Sequence, residues 1–336
     1  MIPIRYSSTK MPNDYEAFYK AFKDKIELWY NKQQISSKNQ FDAETLKFLK
    51  YILEKKRLKN LLNMPAEVIP DKIKSFKKHF KGFTNQISGL LELCRVIFIR
   101  HGYSSTMDSD KYSFPKNELI DDVNADVCPY CNRNFIKHVT SSKTVDNGNP
   151  ITVEVKAQLD HFYDKDKYPY LAVTRHNLVP CCPTCNGRGG KYTDDAGDKG
   201  IVNPFAMKDS EGLKFTIDVG KSGLLDLGQL EHDLKIGLAC KPGSNMDKNK
   251  ETFNLQALYD THKDFAAEMY KIHLFTNTQA YRDFISKILG DPDLGVSKED
   301  IFRLFFGTYE NPSQFNKRPL SKFKNDILDD IGRTRE

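Results

Sequence analysis

Two short cysteine pairs, Cys128-Pro129-Tyr130-Cys131 and Cys182-Pro183-Thr184-Cys185, constrain this chain more than any other feature. A C-x-x-C turn folds both sulfurs toward one point, and two such turns can close a tetrahedral zinc site. Fifty residues separate Cys131 from Cys182. That gap is wide for a small zinc ribbon and suits a site closing over an inserted hairpin. Four thiolates leave no coordination position for substrate, so such a zinc is structural. Cys181 offers a competing register, but Cys182 and Cys185 have the two-residue spacing, which turns Cys181 to the core. Cys94 and Cys240 read as ordinary buried thiols. The cysteines number seven, an odd count, and the opening Met1-Ile2-Pro3-Ile4-Arg5 lacks the apolar stretch of an export signal. Metal ligation in a reducing compartment is therefore expected rather than disulfides, with a cytoplasmic location. Apolar runs such as Val96-Ile97-Phe98-Ile99 fall far short of the roughly 20 residues of a membrane span.

Around the cysteines the chain divides by pattern. Residues 1–100 carry 20 Lys/Arg against 10 Asp/Glu, a balance of +10, whereas the whole chain carries +6. A basic N-terminal third suits contact with phosphates, although lysines also line the solvated faces of ordinary amphipathic helices. Tyr15, Phe18, Tyr19, Phe22, Ile26, Trp29 and Tyr30 recur at helical steps, and three further helices follow, the last over Ile87 to Arg100. Gly102 to Asp126 turns polar and reads as a connector. Asn134 to Val139 and Ile151 to Leu159 read as two strands about a turn at Asp146-Asn147-Gly148-Asn149-Pro150. Strands are also expected over Leu213–Val219 and Leu234–Cys240. One long helical stripe runs from Leu255 to His273, with shorter helices over 278–289, 298–306 and 320–331. Three regions follow: a basic helical one over 1–120, the cysteine-stapled unit over 121–205, and strands then helices over 206–336.

Inside the stapled unit lie Asp160-His161 at a strand end, Asn177-Leu178, Asn186 directly after the last paired cysteine, and the basic, glycine-rich Gly187-Arg188-Gly189-Gly190-Lys191. The last is not a P-loop, because its spacing and preceding strand are missing. No nucleotide-binding motif occurs elsewhere in the chain.

In their order and types, Cys128, Cys131, Asp160, His161, Asn177, Leu178, Cys182, Cys185, Asn186 and Lys191 resemble the HNH (His-Me finger, ββα-metal) endonucleases, in their cysteine-containing branch. The resemblance covers about residues 125–205, and Asn203-Pro204-Phe205 resembles a segment that often follows the motif. It implies an α+β fold, mainly helical, around a central zinc-stapled ββα-metal finger. It further implies hydrolysis of nucleic-acid phosphodiesters, DNA before RNA, with His161 as general base. Asp160 and Asn186 would hold a catalytic Mg²⁺ or Mn²⁺. Asn177 would brace the loop that aims His161, and Arg188 or Lys191 would grip a phosphate or stabilise transition-state charge. Many family members have a second His where Asn186 stands, which leaves metal preference open. His176 precedes the motif Asn and is not the motif His. His262 and His273 lie on an apolar helical stripe and read as core histidines, and His138 has no motif partner. Residues 128–135, 157–163 and 317–322 look, more distantly, like bacterial HNH proteins paired with an ATPase in Septu-type anti-phage defence, which implies an ATPase partner and no membrane. The competing reading is a zinc-stapled nucleic-acid-binding or adaptor module without catalysis.

Overall fold

The computed structural model describes residues 1–7, 13–35, 42–85, 88–107, 115–137, 139–144, 150–155, 157–208, 212–220, 227–291 and 293–333. The protein is mainly helical, with little sheet. The first helices are α1 (Asn13–Ile35), α2 (Ala43–Leu53), α3 (Arg57–Leu62), α4 (Ile69–His79) and α5 (Gly89–Cys94). Burial of Tyr15, Phe18, Phe22 and Ile26 accounts for the aromatic stripe of α1, whose Tyr19, Trp29 and Tyr30 pack at its margin. The helix expected to end near Arg100 continues beyond it. After α5 it widens into a π-type helix, Arg95–Met107, which takes up the first residues of the expected polar connector. Gly102 permits this, because a Cβ there would meet the Phe22 ring and Val173 at 3.2 Å. Helix α6 (Pro115–Asp122) then leads into the first cysteine turn.

The strands differ from expectation in position and pairing: the first arm begins at Val139, where the expected one, Asn134 to Val139, ends. Strands β1 (Val139–Thr144) and β2 (Pro150–Val155) form an antiparallel hairpin. Residues 145–149, with most of the expected turn, and His138 lie outside the described residues. The expected second arm does not run on to Leu159. A separate strand, β3 (Gln158–His161), pairs with β4 (Leu178–Cys181), setting Asp160 opposite Val179 and His161 opposite Leu178. Periodicity alone could not separate β2 from β3, because the alternation carries through; what divides them is the partner each one finds. A short helix, α7 (Pro183–Asn186), follows β4, giving the order strand, strand, helix across the cysteine unit.

Helix α8 (Ala196–Lys199) precedes a third antiparallel pair, β5 (Lys214–Asp218) and β6 (Lys235–Ala239), with α9 (Leu230–Asp233) between them. The long stripe from Leu255 is two helices. Helix α10 (Asn245–Thr252) leads into α11 (Leu255–Asp260), which breaks at Thr261-His262 before α12 (Lys263–Thr276). Helices α13 (Gln279–Leu289), α14 (Lys298–Phe306) and α15 (Ser321–Arg333) complete the order. Ser297 and Asp300 form a reciprocal cap at the start of α14. One continuous apolar cluster, from Met1 to Ile331, joins all three regions. None of the described helices is long and apolar enough to cross a membrane.

Candidate metal centre and the His161 site

The first cysteine turn is closed by a bridge between Val127 and Phe135 and by the Cys128 amide donating to the Asn134 carbonyl at 2.9 Å. Asn132 takes the left-handed conformation (φ 53°) and its amide donates to the Cys128 carbonyl at 2.7 Å, which turns both sulfurs inward. The second pair sits on α7, where the Cys185 amide donates to the Cys182 carbonyl at 3.1 Å. The Sγ atoms of Cys128, Cys131, Cys182 and Cys185 all lie within 4.8 Å of one another, and Cys131 and Cys182 are 3.9 Å apart. Bonds of about 2.3 Å from zinc to sulfur make the edge of a tetrahedron about 3.8 Å, so the cluster has the dimensions for zinc. Backbone N–H of Arg133 donates to Cys131 Sγ at 3.4 Å, and the Asn134 side chain donates to Cys182 Sγ at 3.3 Å. Such donors stabilise thiolates. Hydrogen bonds from Cys128, Cys131 and Cys185 hold the Cys182 thiol far below its usual range, whereas burial pushes Cys128 up. Cys181 stands apart from the cluster, buried in β4, which settles the register. Cys94 is buried as expected; Cys240 is only half-buried and donates to Asp247 at 3.3 Å.

The C-terminal region grips the same turn. The Leu320 amide donates to the Asn132 carbonyl at 2.6 Å, the Asn132 side chain donates to the Phe315 carbonyl at 2.9 Å, and the Lys322 amide donates to Asn132 Oδ1 at 3.1 Å. The Phe315–Lys322 segment therefore clasps the first cysteine turn. His262 is also tied here, accepting at Nε2 from Arg133 Nε at 2.8 Å.

Neighbouring side chains of a strand point to opposite faces. Asp160 and His161 accordingly diverge into different surroundings. Asp160, 3% exposed, accepts from the Tyr130 hydroxyl at 2.7 Å and from Lys191 Nζ at 2.9 Å. Lys191, 2% exposed, also donates to the His161 carbonyl at 2.8 Å. Gly190 makes this possible. The Lys191 amide turns back onto the Cys185 carbonyl at 2.9 Å, and a Cβ on Gly190 would lie 2.3 Å from that oxygen.

Two of the expected site roles meet other contacts here. Lys191 is buried against Asp160 and does not face solvent to grip a phosphate; of the two basic candidates, Arg188 is the exposed one. Asp160 and Asn186 share no hydrogen bond among the described residues, and the Asn186 amide instead donates to Gln158 at 2.9 Å. An ammonium 2.9 Å from the Asp160 oxygen repels any divalent ion approaching it, so this pair does not fit a shared Mg²⁺ or Mn²⁺ as arranged.

His161 is 9% exposed, and its Nε2 lies 3.0 Å from the Ala172 carbonyl. A carbonyl only accepts, so Nε2 carries the proton and Nδ1 remains an acceptor. Burial above all, then Lys165, Lys191 and Lys116, pushes its pKa down to about 3, so the ring is neutral at pH 7. Asn177 spans the intervening loop. Its Oδ1 accepts from the Tyr163 amide at 2.7 Å, and its Nδ2 donates to the carbonyls of Tyr163 and Leu171, both at 3.1 Å. Leu171 precedes the Ala172 that holds His161. His176 is packed edge-on between Tyr6 and Phe205, and burial lowers its pKa to about 4. The Asn203 side chain donates to the His176 carbonyl at 3.0 Å, which ties the Asn-Pro-Phe segment to the loop.

Over 57 residues the chain is 40% identical to the Septu protein PtuB of Bacillus thuringiensis. That stretch is 17% of this chain and 21% of PtuB, so the chain matches about a fifth of the relative's length. No protein-family model and no solved structure matches the chain. Three residues at the two centres carry no motif signal. Tyr130 occupies a variable position of its C-x-x-C turn, Tyr103, whose ring lies edge-on to His161 at 4.6 Å between centroids, falls in the expected connector, and Ala172 acts through its backbone. An aromatic residue between two zinc-type cysteines was the available sign for Tyr130; for Ala172 there was none.

Proposed function

We propose that this protein is a phosphodiester hydrolase of the HNH kind, acting on nucleic acid at His161. The observation that carries this reading is the presentation of His161: neutral, held through Nε2 by a backbone carbonyl, with Nδ1 left to accept a proton. Such a ring is placed to take a proton from a water once a bound phosphodiester is beside it, because that negative charge raises the proton affinity that burial lowers in the free protein. Asn177 orients it by fastening the loop that bears Ala172. The order β3, β4, α7, stapled by the four cysteines, supports the same assignment. Because the Asp160 carboxylate is neutralised by Lys191, no step here passes through a divalent ion. The likeness to a Septu protein supports a part in anti-phage defence beside a partner protein. With no nucleotide-binding motif in this chain, any ATPase activity would belong to that partner.

The test is cleavage of labelled DNA and RNA by the wild type and His161→Ala, with zinc content measured for both. Wild-type cleavage that His161→Ala abolishes at unchanged zinc supports the reading; equal rates in the two proteins refute it. The buried Asp160–Lys191 pair favours a second reading, a zinc-stapled nucleic-acid-binding module. Nucleic acid bound and left uncut, with the partner present, would select that one.

A further inference from the structure

Helix α13 carries Tyr281, Phe284, Ile285, Ile288 and Leu289 at three- and four-residue steps, an apolar stripe as regular as that of α1. In α1 the stripe is largely buried, whereas no residue of α13 is. Eleven residues are too few for a helix to hold alone in water, so a helix of this length draws its stability from what its apolar face packs on. Tyr281 reaches the rings of Phe275 and Phe305 at 5.7 and 5.1 Å between centroids, which covers one edge of the stripe. The rest borders a groove of about 380 Å³ between α13 and α14, open to solvent and lined by apolar side chains throughout. Ile285, Ile288 and Ile301 form its floor, and the exposed Phe284, Leu294 and Leu304 its walls.

We propose that a second copy of this chain covers this face, with α13 and α14 of the two copies packed about a twofold axis into a four-helix layer. Three observations point to a second copy. A twofold interface must be complementary to itself, so a projection and a recess have to share one face. Leu304, 77% exposed and the most exposed large apolar side chain among the described residues, stands on the wall of a groove with volume enough to seat its counterpart from the other copy. The exposed area also matches. Leu304, Leu294 at 54%, Phe275 at 52%, Phe284 at 51% and Leu289 at 36% leave about 500 Å² of apolar surface in water, at roughly 200 Å² per large side chain. Homodimer interfaces are about 65% apolar, so this patch with its polar rim comes to about 800 Å² per copy, the size of a standard stable interface. The rim, finally, is nearly neutral. Residues 279–306 carry four basic and five acidic side chains, so two like surfaces meet without net repulsion, whereas a nucleic acid would require a basic one. This association does not depend on what happens at His161.

The test is sedimentation velocity with light scattering on the full, zinc-loaded chain, from nanomolar to high micromolar concentration. The expected species has twice the 38.7 kDa of the chain and dissociates on dilution. Leu304→Asp and Phe284→Asp should each raise the dissociation constant by at least about tenfold, as central interface side chains do, and Leu304→Ser by less. Leu28→Asp, at a 64% exposed leucine of α1, should leave it unchanged. Zinc content and circular dichroism verify folding of each variant. A monomer at every concentration overturns the proposal, as does a dimer that neither aspartate variant weakens or one that Leu28→Asp weakens equally. A monomer whose binding to a different protein is lost in Leu304→Asp and Phe284→Asp also overturns it, and assigns the face to that partner.

Discussion

Replacing Lys191 with methionine is the most informative perturbation of the centre. The ammonium is 2% exposed and makes two hydrogen bonds, to Asp160 at 2.9 Å and to the His161 carbonyl at 2.8 Å. Methionine has nearly the same reach, so the cost is electrostatic rather than a cavity. It leaves a carboxylate at 3% exposure with the Tyr130 hydroxyl as its remaining donor. Removing one partner of a buried ion pair costs about 3–5 kcal/mol, because the other charge stays buried without compensation. Lys191→Met should therefore lower unfolding free energy by about that amount, read by urea titration of the zinc-loaded protein. Two probes are at hand, far-UV circular dichroism and the fluorescence of Trp29, the single tryptophan of the chain. Adding Asp160→Asn to Lys191→Met should recover most of the loss, since no charge is then stranded. A loss below about 1 kcal/mol for Lys191→Met, the range of an exposed surface pair, would show that the two groups are not desolvated against one another and would reopen Asp160 as a metal ligand.

Other consequences follow from the same geometry. Elemental analysis should find one zinc per chain, lost in Cys182→Ser and retained in Cys181→Ser; the reverse pattern would mean that the second pair uses the other register. His161 and His176 have pKa values pushed down to about 3 and about 4, below the roughly 6.5 of the unfolded chain. The unfolded state then binds more protons below pH 6.5, so stability should fall as pH drops from about 6.5 toward 4 and stay level with respect to these groups above it. In His161→Ala that dependence should flatten, and an unaltered slope would mean that the ring is not buried neutral. Asn177→Ala should slow cleavage by more than it weakens nucleic-acid binding, since it frees the loop carrying Ala172 without removing a substrate contact. An equal effect on both would count against a positioning role.

The sequence alone determined the parts whose physics is local. Two-residue cysteine spacing brings sulfurs together whatever surrounds them, and the aromatic stripe of α1 demands a buried face wherever that helix lies. The ends of α13, α14 and β5 were legible for the same reason, since caps and alternation act over a few residues. The tertiary structure decided what depends on partners distant in the chain. It chose Cys182 over Cys181, separated β3 from β2 by giving β3 the partner β4, and carried a helix through Gly102 so that Tyr103 meets His161. It also drew Lys191 inward onto Asp160, through a Gly190 turn that closes on the Cys185 carbonyl. A lysine beside glycines in sequence has no stated preference for solvent or interior. Only a buried carboxylate within 3 Å of it, supplied by a strand some thirty residues earlier, makes the interior the lower-energy place for its charge.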